Sequence, residues 1–246
     1  MRVLVLGGTT EASELCRRLA GRPGIAATLS LAGRTAAPAA QPVPVRSGGF
    51  GGAEGLARYL RAESITVVVD ATHPFAAQMS RNAARACIEA GVPLVALVRP
   101  PWLPQAGDRW LEVDSNEEAA AALGAAPRRV FLSIGRLGIA DFAAAPQHAY
   151  LVRSIEPPEA LAALLNHRLV LGRGPFDAAE EAALLAAEEI DVLVSKNAGG
   201  RATYGKIEAA RRLGLPVVMR RRPGRPDVPM VTDADAALAF LAARTR

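Results

Sequence analysis

Cysteine, histidine and aromatic side chains are all scarce in this 246-residue chain, and acidic residues do not outnumber basic ones. The two cysteines, Cys16 and Cys87, are too few and too far apart for a disulfide scaffold. Each falls in a helical pattern among small residues and reads as a buried thiol. There are only three histidines, and no Cys/His cluster has metal-ligand spacing, so no metal site is expected. Aromatics make up 4% of the chain and no dense basic stretch is interleaved with them, which argues against a nucleic-acid partner. No apolar run approaches the roughly 20 residues needed to span a bilayer. Nor does a basic segment followed by a long apolar stretch open the chain. Neither a membrane span nor a signal peptide is therefore expected, and the expected compartment is the cytoplasm.

Half of the residues are hydrophobic, enough for a sizeable core, and the length allows one large domain or two small ones. The formal charge of +5 comes mainly from arginine, whose fork binds phosphates and carboxylates in bidentate geometry. An arginine-rich proteome would give the same balance, so charge alone says only that an anionic small molecule is a reasonable partner.

Short apolar strands alternate with Ala/Leu-rich helical segments along the whole chain. Val3–Leu6, Ala27–Leu31, Val67–Asp70 and Leu94–Val98 read as runs of β-branched residues and leucine rather than alternating segments, as expected of parallel strands covered on both faces. Helices are expected at Glu11–Ala20, Ala53–Ala62 and Ala76–Ala90. Arg99-Pro-Pro-Trp-Leu-Pro then breaks the rhythm, since its prolines suit neither a helix interior nor a central strand. The spacing predicts a first domain over 1–101 and a second over 102–246. In the second, strands at Trp110–Val113, Arg129–Ile134, Tyr150–Ile155, Leu169–Leu171, Val192–Ser195 and Val217–Arg220 alternate with helices at Ser115–Leu123, Pro158–Leu165, Ala178–Glu189 and Lys206–Leu213. A last helix covers Asp233–Ala243. Two three-layer α/β units with parallel sheets follow.

The opening strand runs straight into Gly7, Gly8, Thr9 and Thr10, and a helix starts at Glu11. Glycine lets the backbone approach a phosphate, and the first turn of the helix supplies free N–H groups. The pattern is not G-x-G-x-x-G, and an ordinary tight β–α turn would look alike. The end of the second strand, from Ser30 to Arg34 and Thr35, carries no acid of the kind that holds a ribose in NAD-preferring folds. An arginine there suits the extra phosphate of NADP, so the two segments together favour NADP(H). Ser47-Gly-Gly-Phe-Gly-Gly52 either wraps a cofactor or is a plain connection.

Further polar loops follow other strands. Asp70-Ala-Thr72-His73-Pro-Phe75 stands where open α/β sheets bind ligands, with His73 able to touch nicotinamide or donate a proton and Asp70 able to orient the loop. His148 and His167 read as surface or internally satisfied residues. Ser195, Lys196, Asn197, Gly199 and Gly200, followed by Thr203, Tyr204 and Lys206, make poor core material and a good grip for a ligand's polar edge. Tyr204 and Lys206 have the wrong spacing for the Tyr-x-x-x-Lys pair of short-chain dehydrogenases. Gly135-Arg136-Leu-Gly138 and Gly172-Arg-Gly174 each add an arginine.

Gly7-Gly-Thr-Thr-Glu-Ala12, Asp70-Ala-Thr-His-Pro-Phe-Ala76 with Ser80, Asn82 and Ala83, Arg99-Pro-Pro-Trp102, and Ser195-Lys-Asn-Ala-Gly-Gly200 with Thr203, Tyr204 and Lys206 occur in this order across nearly the whole chain. In these segments the chain resembles the precorrin-6A reductases of cobalamin biosynthesis. The resemblance implies two Rossmann-like (flavodoxin-like) domains with an active-site cleft between them, and NADPH-dependent reduction of one macrocycle double bond of precorrin-6A to give precorrin-6B. It implies that Gly7–Glu11, Ser30, Arg34, Thr35, Thr72 and His73 hold the cofactor. Arg99, Arg136 and the Ser195–Lys206 loop would hold the tetrapyrrole, with His73, Lys196 or Tyr204, or an ordered water, supplying a proton. A short-chain-type reductase or epimerase and a non-catalytic NADP sensor are the competing readings. The oligomeric state stays open, a monomer included.

Overall fold

The computed structural model describes residues 1–33 and 39–244, arranged as two compact units. Residues 1–100 and 223–244 build the first; residues 101–222 build the second. In the first, β1 (Arg2–Leu6), β2 (Ala26–Leu31), β3 (Val45–Ser47), β4 (Val67–Asp70), β5 (Leu94–Leu97) and β12 (Met230–Val231) form a parallel sheet of order β12-β5-β4-β1-β2-β3. The continuous apolar runs are explained by two covered faces. Val3, Val5, Leu29, Val67 and Val69 pack on α1 (Thr10–Leu19) and α7 (Ala234–Ala242) through Leu15, Leu19 and Leu241. Leu4, Leu6 and Val68 pack on α2 (Gly52–Ala62) and α3 (Ala77–Ala90) through Leu56, Leu60, Ala83 and Cys87. Each large side chain so buried contributes about 1.5–3 kcal/mol.

The second unit repeats the plan. Its strands β6 (Trp110–Val113), β7 (Arg129–Ser133), β8 (Ala149–Ser154), β9 (His167–Leu171), β10 (Val192–Lys196) and β11 (Val217–Arg220) pair in parallel in the order β6-β11-β10-β7-β8-β9. One face, with Val130, Leu132 and Val194, meets α4 (Asn116–Ala122) and two 3-10 turns. The other, with Phe131, Leu193 and Met219, meets α5 (Ala178–Ala187), α6 (Gly205–Arg212) and Trp102.

Both sheets reverse their strand order at one point: between β1 and β4 in the first, and between β7 and β10 in the second. At such a reversal the connections on either side leave in opposite directions and open a crevice beyond the carboxyl ends of the strands, where ligands of open α/β sheets bind.

The sequence pattern differs from the structure at three places. It assigns 102–246 to the second half, whereas from Pro223 the chain returns to the first unit and adds β12 and α7 to it. Pro158–Leu165 is not an α-helix but a 3-10 turn, Glu159–Ala163, of the short length usual for such turns. β3 and β12, three and two residues long, are too short to show a period at all.

Candidate active site

The crevice of the first sheet is bounded by the turn after β1 and the loop after β4. Leu6 and Asp70, the last residues of these strands, lie opposite each other in the ladder. Gly8 takes a φ of +114°, a conformation open to glycine at little cost, and a side chain added there would meet nothing within 4 Å. Gly7 differs: an added Cβ would stand 2.4 Å from Leu29 Cδ1, so its hydrogen serves packing on β2. Thr9 caps α1, its Oγ1 accepting from the Ala12 N–H at 3.1 Å and donating to the Ala71 carbonyl at 2.8 Å. The Thr9 hydroxyl thus ties the two crevice walls together. Thr10 and Gly8 are exposed, and the first N–H groups of α1 open at the same point. Glu11 pairs with Arg99 at 2.7 Å, which joins the start of α1 to the end of β5. Backbone amides beside an open glycine fit a dinucleotide pyrophosphate.

Beyond β4, Asp70 is 2% exposed and accepts four hydrogen bonds. Thr72 donates its N–H (3.1 Å) and Oγ1–H (2.6 Å) to Oδ1, while Ser80 Oγ (2.6 Å) and Arg225 Nη2 (2.6 Å) reach Oδ2. This carboxylate fixes the loop at its start and at the second turn of α3. Within the loop, His73 Nδ1 accepts from the Phe75 N–H at 3.2 Å, which leaves the neutral ring's proton on Nε2. Thr72 is buried, its hydroxyl committed to Asp70, and His73 is half-buried. On the other side of β1, Ser30 Oγ accepts from Arg46 at 2.8 Å. Arg34 and Thr35 lie outside the described residues.

In the second unit, the reversal between β7 and β10 brings the Gly135-Arg136 turn beside the Ser195–Tyr204 loop, since Ser133 and Ser195 are ladder partners. Arg136 pairs with Glu156 at 3.1 Å. The polar residues of the second loop divide into two sets. Lys196, Gly200, Thr203 and Tyr204 are half-buried. Ser195, Asn197, Gly199 and Lys206 are inside. Asn197 clamps the proline-rich segment, its Oδ1 accepting from the Trp102 N–H (2.8 Å) and its Nδ2 donating to the Trp102 carbonyl (2.9 Å). Trp102 Nε1 donates to the Gly200 carbonyl at 2.8 Å. Tyr204 OH accepts from Arg211, itself paired with Asp108. Lys206, 5% exposed, sits 5.4 Å from the Trp102 ring centre, next to the buried Arg153–Glu181 pair (2.6 Å). Burial, and after it the Arg153 charge, pull its pKa down to about 8, with Glu181 opposing. These side chains support the loop from behind, and sequence alone does not distinguish that role from a ligand-facing one.

Three polar residues outside the predicted set join these loops: Arg46 on Ser30, Arg225 on Asp70, and Arg222, which donates to the Asn197 (2.9 Å) and Ala198 (3.0 Å) carbonyls. The one sequence signal for Arg222 and Arg225 is the arginine-rich run 220–225 before the last helix. His148, expected at the surface or satisfied, is fully buried, and its Nδ1 has no hydrogen-bond partner among the described residues. Burial raises the Cys16 thiol to about 11 and, with help from the Asp70 charge, the Cys87 thiol to about 12, so both stay protonated. Among the described residues no group of His, Cys, Asp or Glu is arranged to hold a metal, and no helix is long and apolar enough to cross a membrane.

Comparison with known proteins adds an independent finding. A family profile described as precorrin-6x reductase CbiJ/CobK matches residues 2–242. A precorrin-6A reductase of Sinorhizobium sp. is 55% identical over 98% of this chain and 92% of its own length. That of Rhodobacter capsulatus is 52% identical over 98% and 96%. A solved structure described as CobK precorrin-6A reductase superposes with a TM-score of 0.94 at 51% identity, over 100% of this chain and 97% of the other.

Proposed function

Because the chain belongs to the precorrin-6x reductase CbiJ/CobK family, we propose that it reduces one double bond of the precorrin-6A macrocycle to give precorrin-6B, with NADPH as reductant, in the cytoplasm. The observation that carries this reading is the crevice between β1 and β4, where Gly8 and the first amides of α1 stand open opposite the His73 loop and the Thr9–Ala71 bond fixes their separation. When bound, NADPH supplies the hydride. The protein's part is to hold the pyrophosphate on backbone amides, set the nicotinamide face, and provide a proton to the adjacent carbon.

Arg34 and Thr35, following β2, are assigned to the 2′-phosphate. His73, with its Nε2 proton, faces the nicotinamide. Arg99, Arg136, Lys196, Thr203 and the backbone of Gly199 and Gly200 hold carboxylates and polar edges of the tetrapyrrole, with Ser195, Asn197 and Lys206 shaping that loop from within. His73, Lys196 and Tyr204 remain the groups able to protonate substrate. The internal position of Lys206 and the Arg211 bond on Tyr204 weigh against a short-chain-type mechanism, which needs both side chains in contact with the reacting carbonyl.

The test is to mix purified protein with NADPH and metal-free precorrin-6A and follow both absorbances. The expected result is loss of the NADPH band together with a shift of the macrocycle spectrum. Cofactor binding without turnover would instead identify a sensor. Arg34→Ala should weaken NADPH binding while sparing NADH; an equal loss for both refutes the 2′-phosphate assignment.

A further inference from the structure

The returning segment 223–226 and the exposed face of α3 border an open depression of about 340 Å³. Its lining consists of Arg81, Ala84, Arg85, Gly224, Arg225 and Pro226, with three arginines and no acidic side chain. Arg225 is the innermost. Its Nη2 is on Asp70, but Nε and Nη1 are buried and lack an acceptor. A buried guanidinium with two unmet donors is costly, on the order of 1–3 kcal/mol for each missing partner. Asp70 does not offset this further, since it already accepts from four donors. Arg81 and Arg85 stand one turn apart on α3, about 6 Å along its axis at 1.5 Å per residue. Both are exposed. Arg81 donates to Gln78, and Arg85 has no hydrogen bond or ion pair among the described residues. The depression adjoins the Asp70–His73 loop because Arg225 is bonded to the carboxylate at the head of that loop.

We propose that Arg81, Arg85 and Arg225 form a carboxylate-binding subsite that takes an acidic side arm of the substrate. The inference deepens the function proposed above and rests on the substrate being a polycarboxylate. Guanidinium matches a carboxylate in bidentate geometry, and a carboxylate seated here meets the exposed Arg81 and Arg85 directly, with the Arg225 charge behind them.

The test compares Arg81→Ala/Arg85→Ala with a control that loses the same charge elsewhere on the first unit, Arg2→Ala/Arg61→Ala. Both pairs of side chains are exposed, so folding is preserved. Two readouts are used: KM for precorrin-6A in the NADPH assay, and binding of uroporphyrin, a polycarboxylate tetrapyrrole that needs no turnover. The expected result is a rise of roughly tenfold or more in KM, and similarly weaker uroporphyrin binding, for the α3 pair alone. The NADPH Kd stays unchanged. Arg225→Lys, which keeps a cation for Asp70 but loses the fork, should raise KM while His73-dependent turnover persists. Equal effects from both double variants, or none from either, overturn the subsite. If the wild-type protein does not turn over precorrin-6A, the proposed function fails, and uroporphyrin binding still decides the subsite: dependence on Arg81 and Arg85 upholds it, while independence or no binding removes it.

Discussion

Lys206 illustrates how a single ionisable side chain is read differently from sequence and from structure. In the sequence it closes a polar run and looks like a ligand contact; in the fold its ammonium lies over the Trp102 ring and feels the charges of Arg153 and Glu181, two cations to one anion. Burial lowers its pKa from 10.5 to about 8, so below pH 8 the folded state carries a cation that the unfolded chain holds more easily. The penalty is full below pH 8 and disappears as pH rises from 8 to 10.5, where the unfolded lysine also loses its proton. Lys206→Met, close in volume, should therefore be more stable than wild type at pH 7 by up to roughly 3 kcal/mol. The gain should shrink to nothing above pH 10.5. Chemical denaturation across that range checks it; a gain that does not vary with pH would show that the ammonium carries no such penalty.

At the scale of elements, the turn from β1 into α1 shows two glycines in different service. Gly7→Ala drives a methyl into Leu29 and should lower the melting temperature while leaving the turn's outer surface untouched. Gly8→Val has room, but the φ of +114° costs about 1–3 kcal/mol for any side chain. It should also block phosphate approach, so NADPH binding fails while the fold persists. Calorimetry and cofactor titration on both variants separate the two roles; normal NADPH affinity in Gly8→Val removes this turn from the site. Most long elements were legible because a buried parallel strand must be a continuous apolar run, as Val3–Leu6 and Val67–Val69 are. Ser115, Asp177 and Asp233 cap their helices, each accepting from an N–H of the first helical turn, as short polar side chains do. Thr9 was legible as polar, but not as a cap that also ties two loops, because its second partner lies 62 residues away.

On the scale of the whole molecule, residues 223–244 are the part that sequence order conceals. A helix at the end of a chain reads the same whichever core it covers, and only packing reveals that Ala234, Ala237 and Leu241 belong with Val3, Val5 and Leu15. The arginines carried on this segment were missed with it, since their partner Asp70 lies 155 residues upstream of Arg225. Ending the chain at Arg222 should strip the cover from β5 and α1, abolish NADPH binding and remove the first unit's cooperative unfolding. The second unit, whose core lies within 101–222, should keep its own transition. Proteolysis coupled to mass spectrometry would show a protected fragment near those limits; equal protection of residues 1–100 would contradict the dependence.

The return of the chain also sets the order in which the protein is made. Domains that are contiguous in sequence condense as they leave the ribosome, amino-terminal ones first. Here the first unit must wait with β5 unpaired on its outer edge until the segment from Pro223 onward has been translated, while the unit of residues 101–222 finishes before it. A ribosome stalled before that segment emerges should therefore hold a nascent chain in which residues 101–222 are native and residues 1–100 are still searching.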